Sequence, residues 1–140
     1  MEKLLPDNVE VLKMYLQVLP FQQASTVYPF TGFVLNINIT TKAHRDPNDK
    51  DICLVIAISS PDCEGGELCL QEPGLVLGLR NGDAVVFSSC KTTHFNLHYK
   101  GRRASLVFQS DKRLDDWLKD ANGWDGNISV RLCSSVEVGL

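Results

Sequence analysis

Two of the three histidines in this chain stand where they could share a metal ion. His44 opens the triplet His44-Arg45-Asp46, in a polar loop that follows an apolar run and ends at Asp51. A histidine and an aspartate two apart at a strand end put both side chains on one side of the backbone. His94 comes much later, at the start of another apolar run. Two imidazoles and one carboxylate suit Fe(II). Held on one face of the ion, they leave three adjacent positions for a chelating co-substrate and for oxygen. Alone, the triplet would be an ordinary solvated loop, and a second feature beyond His94 gives it weight.

That feature is Arg103-Ala104-Ser105-Leu106-Val107-Phe108. On a strand, Arg103 and Ser105 share a face. An arginine fork with a hydroxyl beside it is a good carboxylate clamp. Metal ligands followed on the next strand by such a clamp fit 2-oxoglutarate, with one end chelating the ion and the distal carboxylate on the arginine. Arg102 is the rival cation, but neighbours on a strand point to opposite faces, so only one of the two can enter the site. Asn96 and His98 share a face with His94 and are candidates for supporting the metal or meeting substrate, His98 equally as a surface histidine. Arg45, inside the triplet, is another candidate. Asn36, Asn38 and Thr40 share one face of the strand before the metal loop, and either line the pocket or face solvent.

The elements that would position these residues are mainly β. A helix comes first: Asp7 and Glu10 form an approximate capping box, Val9, Leu12, Leu16 and Leu19 recur near a 3.6-residue period, and Pro20 stops it. From Ser25 to Gln109 about eight short strands are expected, Ser25–Tyr28 the first of them. Phe33, Leu35, Ile37 and Ile39 alternate with Val34, Asn36, Asn38 and Thr40. Cys53–Ile58 is a continuous apolar run, expected to be covered on both faces. Asn81-Gly82 between apolar runs signals a hairpin. Such spacing predicts a sandwich, barrel or jelly roll. Asp111 can cap a second helix, with Leu114, Trp117 and Leu118 on one stripe and Gly123 at its end. The reading is one domain over 1–123, followed by 124–140 as a tail or an added edge strand at Ile128–Leu132.

The chain has 140 residues, 44% hydrophobic and 22% charged, enough for one core and unlike a disordered chain. No apolar run approaches the ~20 residues of a membrane span, and Met1–Leu5 does not read as a secretory signal. Five cysteines without C-x-x-C spacing predict reduced thiols in an intracellular protein, Cys53 and Cys69 serving as small core residues. A net charge of −3 disfavours a large phosphate-gripping surface. A local patch around Lys100, Arg102 and Arg103 remains.

The order His44-Arg45-Asp46, Glu64-Gly65-Gly66-Glu67-Leu68, Gly82-Asp83 leading to Phe87-Ser88-Ser89, His94, then Gly101-Arg102-Arg103-Ala104-Ser105 resembles the Fe(II)/2-oxoglutarate-dependent dioxygenase superfamily. The resemblance covers roughly residues 30–110. It implies the double-stranded β-helix, a jelly roll, here with short flanking helices at each end. It also implies iron on His44, Asp46 and His94, the catalytic set, and 2-oxoglutarate on Arg103 with Ser105. A finer resemblance, to the Tet/JBP-like branch and its fungal, transposon-associated members, lies in Pro29–Asn38, His94-Phe95-Asn96, Leu106–Asp111 and Asn122-Gly123-Trp124. It implies oxidation of 5-methylcytosine or thymine in nucleic acid, with O2 as co-substrate, weak salt-dependent binding through a rim of Lys42, Arg45, Lys100 and Arg102, and a nuclear setting. Two alternatives are a protein or small-molecule hydroxylase on the same fold and a metal-binding remnant with little activity. Members usually carry a longer region before the first long strand and more chain after the last helix, so a truncated or minimal form is expected.

Overall fold

The computed structural model describes residues 1–17 and 25–120. Helix α1 (Pro6–Gln17) buries Val9, Leu12 and Leu16 on one stripe, as the 3.6-residue spacing requires. Proline takes the first helical position, where its missing N–H costs nothing. Asp7 therefore lies in the first turn rather than capping it. Leu19 and Pro20 lie outside the described residues.

The segment expected as a first strand, Ser25–Tyr28, is a turn instead. Phe30 N–H donates to the Val27 carbonyl at 2.9 Å, and Pro29 has no N–H to give a ladder. The turn drops Phe30 into the core, 1% exposed.

Nine strands follow among the described residues: β1 (Gly32–Ile37), β2 (Cys53–Ser59), β3 (Glu64–Gly65), β4 (Leu68–Leu70), β5 (Leu75–Leu77), β6 (Ala84–Phe87), β7 (His94–Asn96), β8 (Tyr99–Lys100) and β9 (Arg103–Gln109). All pairings are antiparallel. A large sheet has the order β1-β9-β2-β6, a small one β5-β4-β7, and β3 pairs with β8. This is the two-sheet jelly roll. Asn81-Gly82 does make a tight turn, with Gly82 at φ 89°, but it is no hairpin. β5 belongs to the small sheet and β6 to the large one, and Gly82 N–H donates across to the Ala57 carbonyl at 2.8 Å. The turn carries the chain from one sheet to the other.

Register decides what faces inward. Val34 and Asn36 of β1 stand opposite Val107 and Ser105 of β9, which in turn face Val55 and Ala57 of β2. These residues line the interior cavity. The alternate set, Phe33, Leu35 and Ile37 with Phe108, Leu106 and Ala104, forms the outer face. Left-handed backbone at Asn38 (φ 51°) ends the alternation, so Asn36 enters the cavity while Asn38 and Thr40 are exposed.

α1 covers one end of the outer face. Leu12, Phe30 and Ile52 form a cluster against Leu54, Val86 and Phe108. Beyond that cluster Leu35 and Ile37 are 49% and 59% exposed. The double coverage expected for Cys53–Ile58 therefore holds at its first end, while Ile58 is exposed.

Cys53, Cys63, Cys69 and Cys90 are free thiols, with Cys53 and Cys69 buried. Helix α2 (Leu114–Asp120) closes the described chain. Asp111 Oδ1 accepts the Arg113 N–H at 2.8 Å at its start, and Leu114 is buried while Leu118 is exposed. Tyr15 of α1 donates to Asp115 of α2 at 2.5 Å, and Lys50 holds the same carboxylate at 2.9 Å, so both helices are tied to the segment after the His44 loop. Gly123, Ile128–Leu132 and the whole of 124–140 lie outside the described residues. No helix among the described residues is long and apolar enough to cross a membrane.

Leu12 sits 1% exposed between the helix and the large sheet. Leu12→Ala should lower unfolding free energy by about 2–4 kcal/mol, read from urea denaturation. A loss below about 0.5 kcal/mol would show that α1 does not pack there.

Candidate metal centre

His44 and His94 face each other across a two-residue antiparallel bridge. His44 N–H donates to the His94 carbonyl at 3.1 Å and His94 N–H to the His44 carbonyl at 2.9 Å. The backbone thus sets the two rings side by side, with centroids 4.3 Å apart. Asp46 N–H donates to the Ser89 carbonyl at 3.1 Å, which fixes the third member.

Each ring is oriented the same way. His44 Nδ1 lies 2.7 Å from the Lys42 carbonyl, and His94 Nδ1 lies 3.0 Å from the Thr92 carbonyl. A carbonyl only accepts, so each Nδ1 donates and each Nε2 is left as the atom that can ligate a metal, which is the orientation a metal-binding histidine needs. Both Nε2 atoms face the Asp46 carboxylate, at 3.8 Å for His44 and 3.4 Å for His94. Three ligand atoms, one from each residue, lie within 4.8 Å of one another. Ligand atoms ~2.1 Å from one ion and at right angles about it are ~3 Å apart, so the two His–Asp pairs need to close by under about 1 Å and no pair by more than about 2 Å to meet one ion. Two neutral imidazoles and a carboxylate also fit Fe(II) by chemistry.

This cluster sits in a cavity of about 470 Å³ between the two sheets. The small sheet contributes Leu68, His94 and Asn96, and the large sheet Val34, Asn36, Val55, Val107, Arg103 and Ser105. Arg103 and Ser105, two apart on β9, both line it, while Arg102, just before the strand, is exposed and outside the lining.

Arg103 is held by the glycine pair before β4. Its Nη1–H donates to the Gly66 carbonyl at 2.6 Å, and its guanidinium lies 5.3 Å from the centre of the Tyr99 ring. Gly66 has φ +78°, and a Cβ there would come 2.4 Å from Arg103 Nη1. A side chain at this position would have to displace the guanidinium.

The other candidates divide. Asn96 lines the cavity and accepts from Thr41 Oγ1 at 3.2 Å. His98 does not share a strand with His94: β7 ends at Asn96, and His98 is exposed, contributing its carbonyl to Gly66 N–H at 3.1 Å. Asn38 is outside the cavity lining and accepts the Arg103 backbone N–H at 3.0 Å. It braces the strand rather than meeting substrate. Arg45 points away from the cavity and donates to Glu72 at 2.5 Å. It is therefore no free cation on a rim.

Sequence reasoning missed Asp49. Its buried carboxylate lines the cavity and accepts from Ser89 Oγ at 2.5 Å. Burial raises its pKa above the usual carboxylate range, opposed by the Ser89 hydroxyl. A sequence signal existed only in its place, three residues after Asp46 in the same loop. Asn48, Gln109 and Asp111 line the cavity beside it. Cys53 also lines it, and burial pushes its thiol up to about 11.

No family model and no curated protein matches the sequence. Among solved structures, NgTET1 in complex with 5mC DNA matches with TM-score 0.65 and 20% identity, over 79% of this chain and 46% of that one. The fold is the same. This chain therefore spans under half the length of that neighbour. An oxidoreductase of the 2OG-Fe(II) oxygenase family from Burkholderia pseudomallei matches at TM-score 0.46 and 19% identity, over 66% of this chain and 51% of that one, too distantly to bear on the fold.

Two measurements check this geometry. If Arg103 clamps 2-oxoglutarate, Arg103→Ala should weaken its binding by about tenfold or more, the worth of a charged hydrogen bond, and Gly66→Ala should do the same by displacing the guanidinium. Arg102→Ala should leave it within about twofold in isothermal titration calorimetry. Equal losses for the two arginines would show that the clamp does not lie on the inward face of β9. In the native protein, a thiol reagent at pH 8 should modify Cys63 and Cys90 and spare Cys53 and Cys69. Rapid loss of the Cys53 thiol would mean that the cavity floor is open to water.

Proposed function

We propose that this chain is an Fe(II)/2-oxoglutarate-dependent oxygenase that oxidises 5-methylcytosine in nucleic acid. The observation that carries the reading is the convergence of His44 Nε2, His94 Nε2 and the Asp46 carboxylate in a cavity that also holds Arg103 and Ser105. Residues 1–123 form the working domain in this reading, with 124–140 as an appended tail.

Fe(II) with 2-oxoglutarate and O2 supplies the oxidising power that attack on a C–H bond requires, which no side chain of this chain provides. The two imidazoles and Asp46 would hold the ion. Arg103 and Ser105 would take the distal carboxylate of 2-oxoglutarate, and the Gly66 carbonyl and the Tyr99 ring restrain the guanidinium in the cavity lining. Val34, Val55 and Val107 give the cavity an apolar wall. Asn36, Asn48, Asp49 and Gln109 offer donors and acceptors to a polar substrate edge.

The substrate class draws support from the shared fold with a protein seen in complex with 5mC DNA. A base in a duplex must leave the stack to reach such a cavity. Binding to nucleic acid is weak in this reading. With a net charge of −3 and Arg45 engaged by Glu72, the cations left for a rim are Lys42, Lys100 and Arg102. A nuclear setting follows from the same reading. The acidic balance equally suits a protein or small-molecule hydroxylase.

Reaction with 5-methylcytosine oligonucleotides, with products read by mass spectrometry, should give oxidised base that depends on added Fe(II) and 2-oxoglutarate. Duplex binding should fall with salt at a log–log slope near 3, because each phosphate contact contributes about 0.9. Brisk 2-oxoglutarate turnover on a peptide or small molecule, with none on any nucleic acid, would replace this substrate class and leave the oxygenase reading intact.

A further inference from the structure

We infer that Glu72 is a positioning residue for the metal centre: from the turn between β4 and β5, its carboxylate locks together the backs of the two segments that carry the imidazoles. The inference rests on the metal reading above.

Alternation along the bridge puts Glu72 in this role. His44 stands opposite His94, so the next pair in an antiparallel register is Arg45 and Thr93. Their side chains point to the face opposite the imidazoles, away from the cavity. There Glu72 receives both. Arg45 Nη2–H donates to Oε1 at 2.5 Å, Thr93 Oγ1–H to Oε1 at 2.7 Å and Thr93 N–H to Oε2 at 2.6 Å. Arg45 Nε–H closes the ring by donating to Thr93 Oγ1 at 2.9 Å. The Thr93 bonds first, and then Arg45, hold the Glu72 carboxyl down at about 2.

Glu72 is itself well placed to act as an anchor. The Gln71 N–H donates to the Thr93 carbonyl at 2.9 Å, and Gly74 N–H closes the turn onto the Gln71 carbonyl at 3.1 Å. The turn is therefore an extension of the β4·β7 pair, in which Leu70 stands opposite His94. An exposed ion pair contributes little by itself. This one joins the loop of His44 and Asp46 to the strand of His94, segments distant in sequence whose separation fixes how closely the ligand atoms meet an ion. Within the bridge the backbone supplies only two hydrogen bonds. The Glu72 ring supplies the rest of the clasp on the side that substrate does not reach.

The test is a Co(II) titration of the full chain, followed by visible absorption, with thermal unfolding of the metal-free proteins alongside. The wild type should bind one Co(II) with d–d bands in the visible. Glu72→Ala should bind it about tenfold more weakly, the low end of what losing a direct partner of a metal ligand costs, because Glu72 acts through the neighbours of the ligands, and with shifted bands. Thr93→Val, which removes one donor from the ring at nearly constant volume, should weaken binding in the same direction. Thr93→Ser, which keeps that donor, should restore it. These two variants carry the test if Glu72→Ala does not fold. Wild-type affinity and bands in Glu72→Ala, or in Thr93→Val where Glu72→Ala is unfolded, would overturn the inference even if the variant unfolded at a lower temperature. A wild-type chain that takes up no cobalt would overturn the metal reading itself, and the role of Glu72 with it.

Discussion

The backbone exchange between His44 and His94 is the contact on which the rest of the site depends. It is short, one opposed pair with two hydrogen bonds, and it occurs between a loop and a strand of the small sheet. Because it is antiparallel, side chains on either side of the pair alternate between faces. One face receives two imidazoles and, with Asp46, a set of ligand atoms pointing inward. The other receives Arg45 and Thr93. The large sheet needs no such device, since β9 and β2 run beside each other for six paired residues. The long strands of the large sheet form the frame and carry Arg103 and Ser105, while β7 of the small sheet and the His44 loop bring the three ligands together.

Much of this was legible from residue type and spacing. A histidine and aspartate two apart, a later histidine and an arginine two before a serine were enough to name five residues that the fold gathers in one cavity. Strand periodicity also placed Arg103 with Ser105, because facing along a regular strand is a local property, while Arg102 lies just before β9. Other parts were out of reach. Which face of β1 turned inward was undecided by pattern, since both its faces carry apolar residues. The answer came from pairing with β9, a non-local fact. Asn38 departed from the expected alternation because its backbone turns left-handed, and His98 because its strand stops two residues earlier. Asn81-Gly82 was read as a hairpin from the same chemistry that makes it a turn. Local sequence specifies a reversal, not which sheet the chain enters next.

Asp49 and Glu72 illustrate a deeper limit. Each is an acidic residue in a loop, indistinguishable by type from the many solvated carboxylates of this chain. Their roles are set by what folds over them: Ser89 and the cavity wall for one, the β4·β7 pair for the other. Gly66 is the converse case. The motif around it was visible, but the reason for a residue without a side chain lies in the guanidinium of a strand far away in sequence. Arg45 changed meaning in the same way, from a cation offered to phosphate into one already spent on a carboxylate.

The outward half of β1 has a further consequence. From Phe30 to Thr41 the sequence holds no charged residue, and β1 lies at the edge of the large sheet with no strand on its other side among the described residues. Phe33, Leu35 and Ile37 thus border a free row of backbone donors and acceptors, the combination that templates cross-strand growth between chains. Sequences restrain such stretches with gatekeepers at their ends. Here Pro29 stands just before the stretch and Lys42 just after it. A proline that cannot join a ladder and a cation that repels its own copy in a stacked neighbour limit how far an intermolecular sheet could extend.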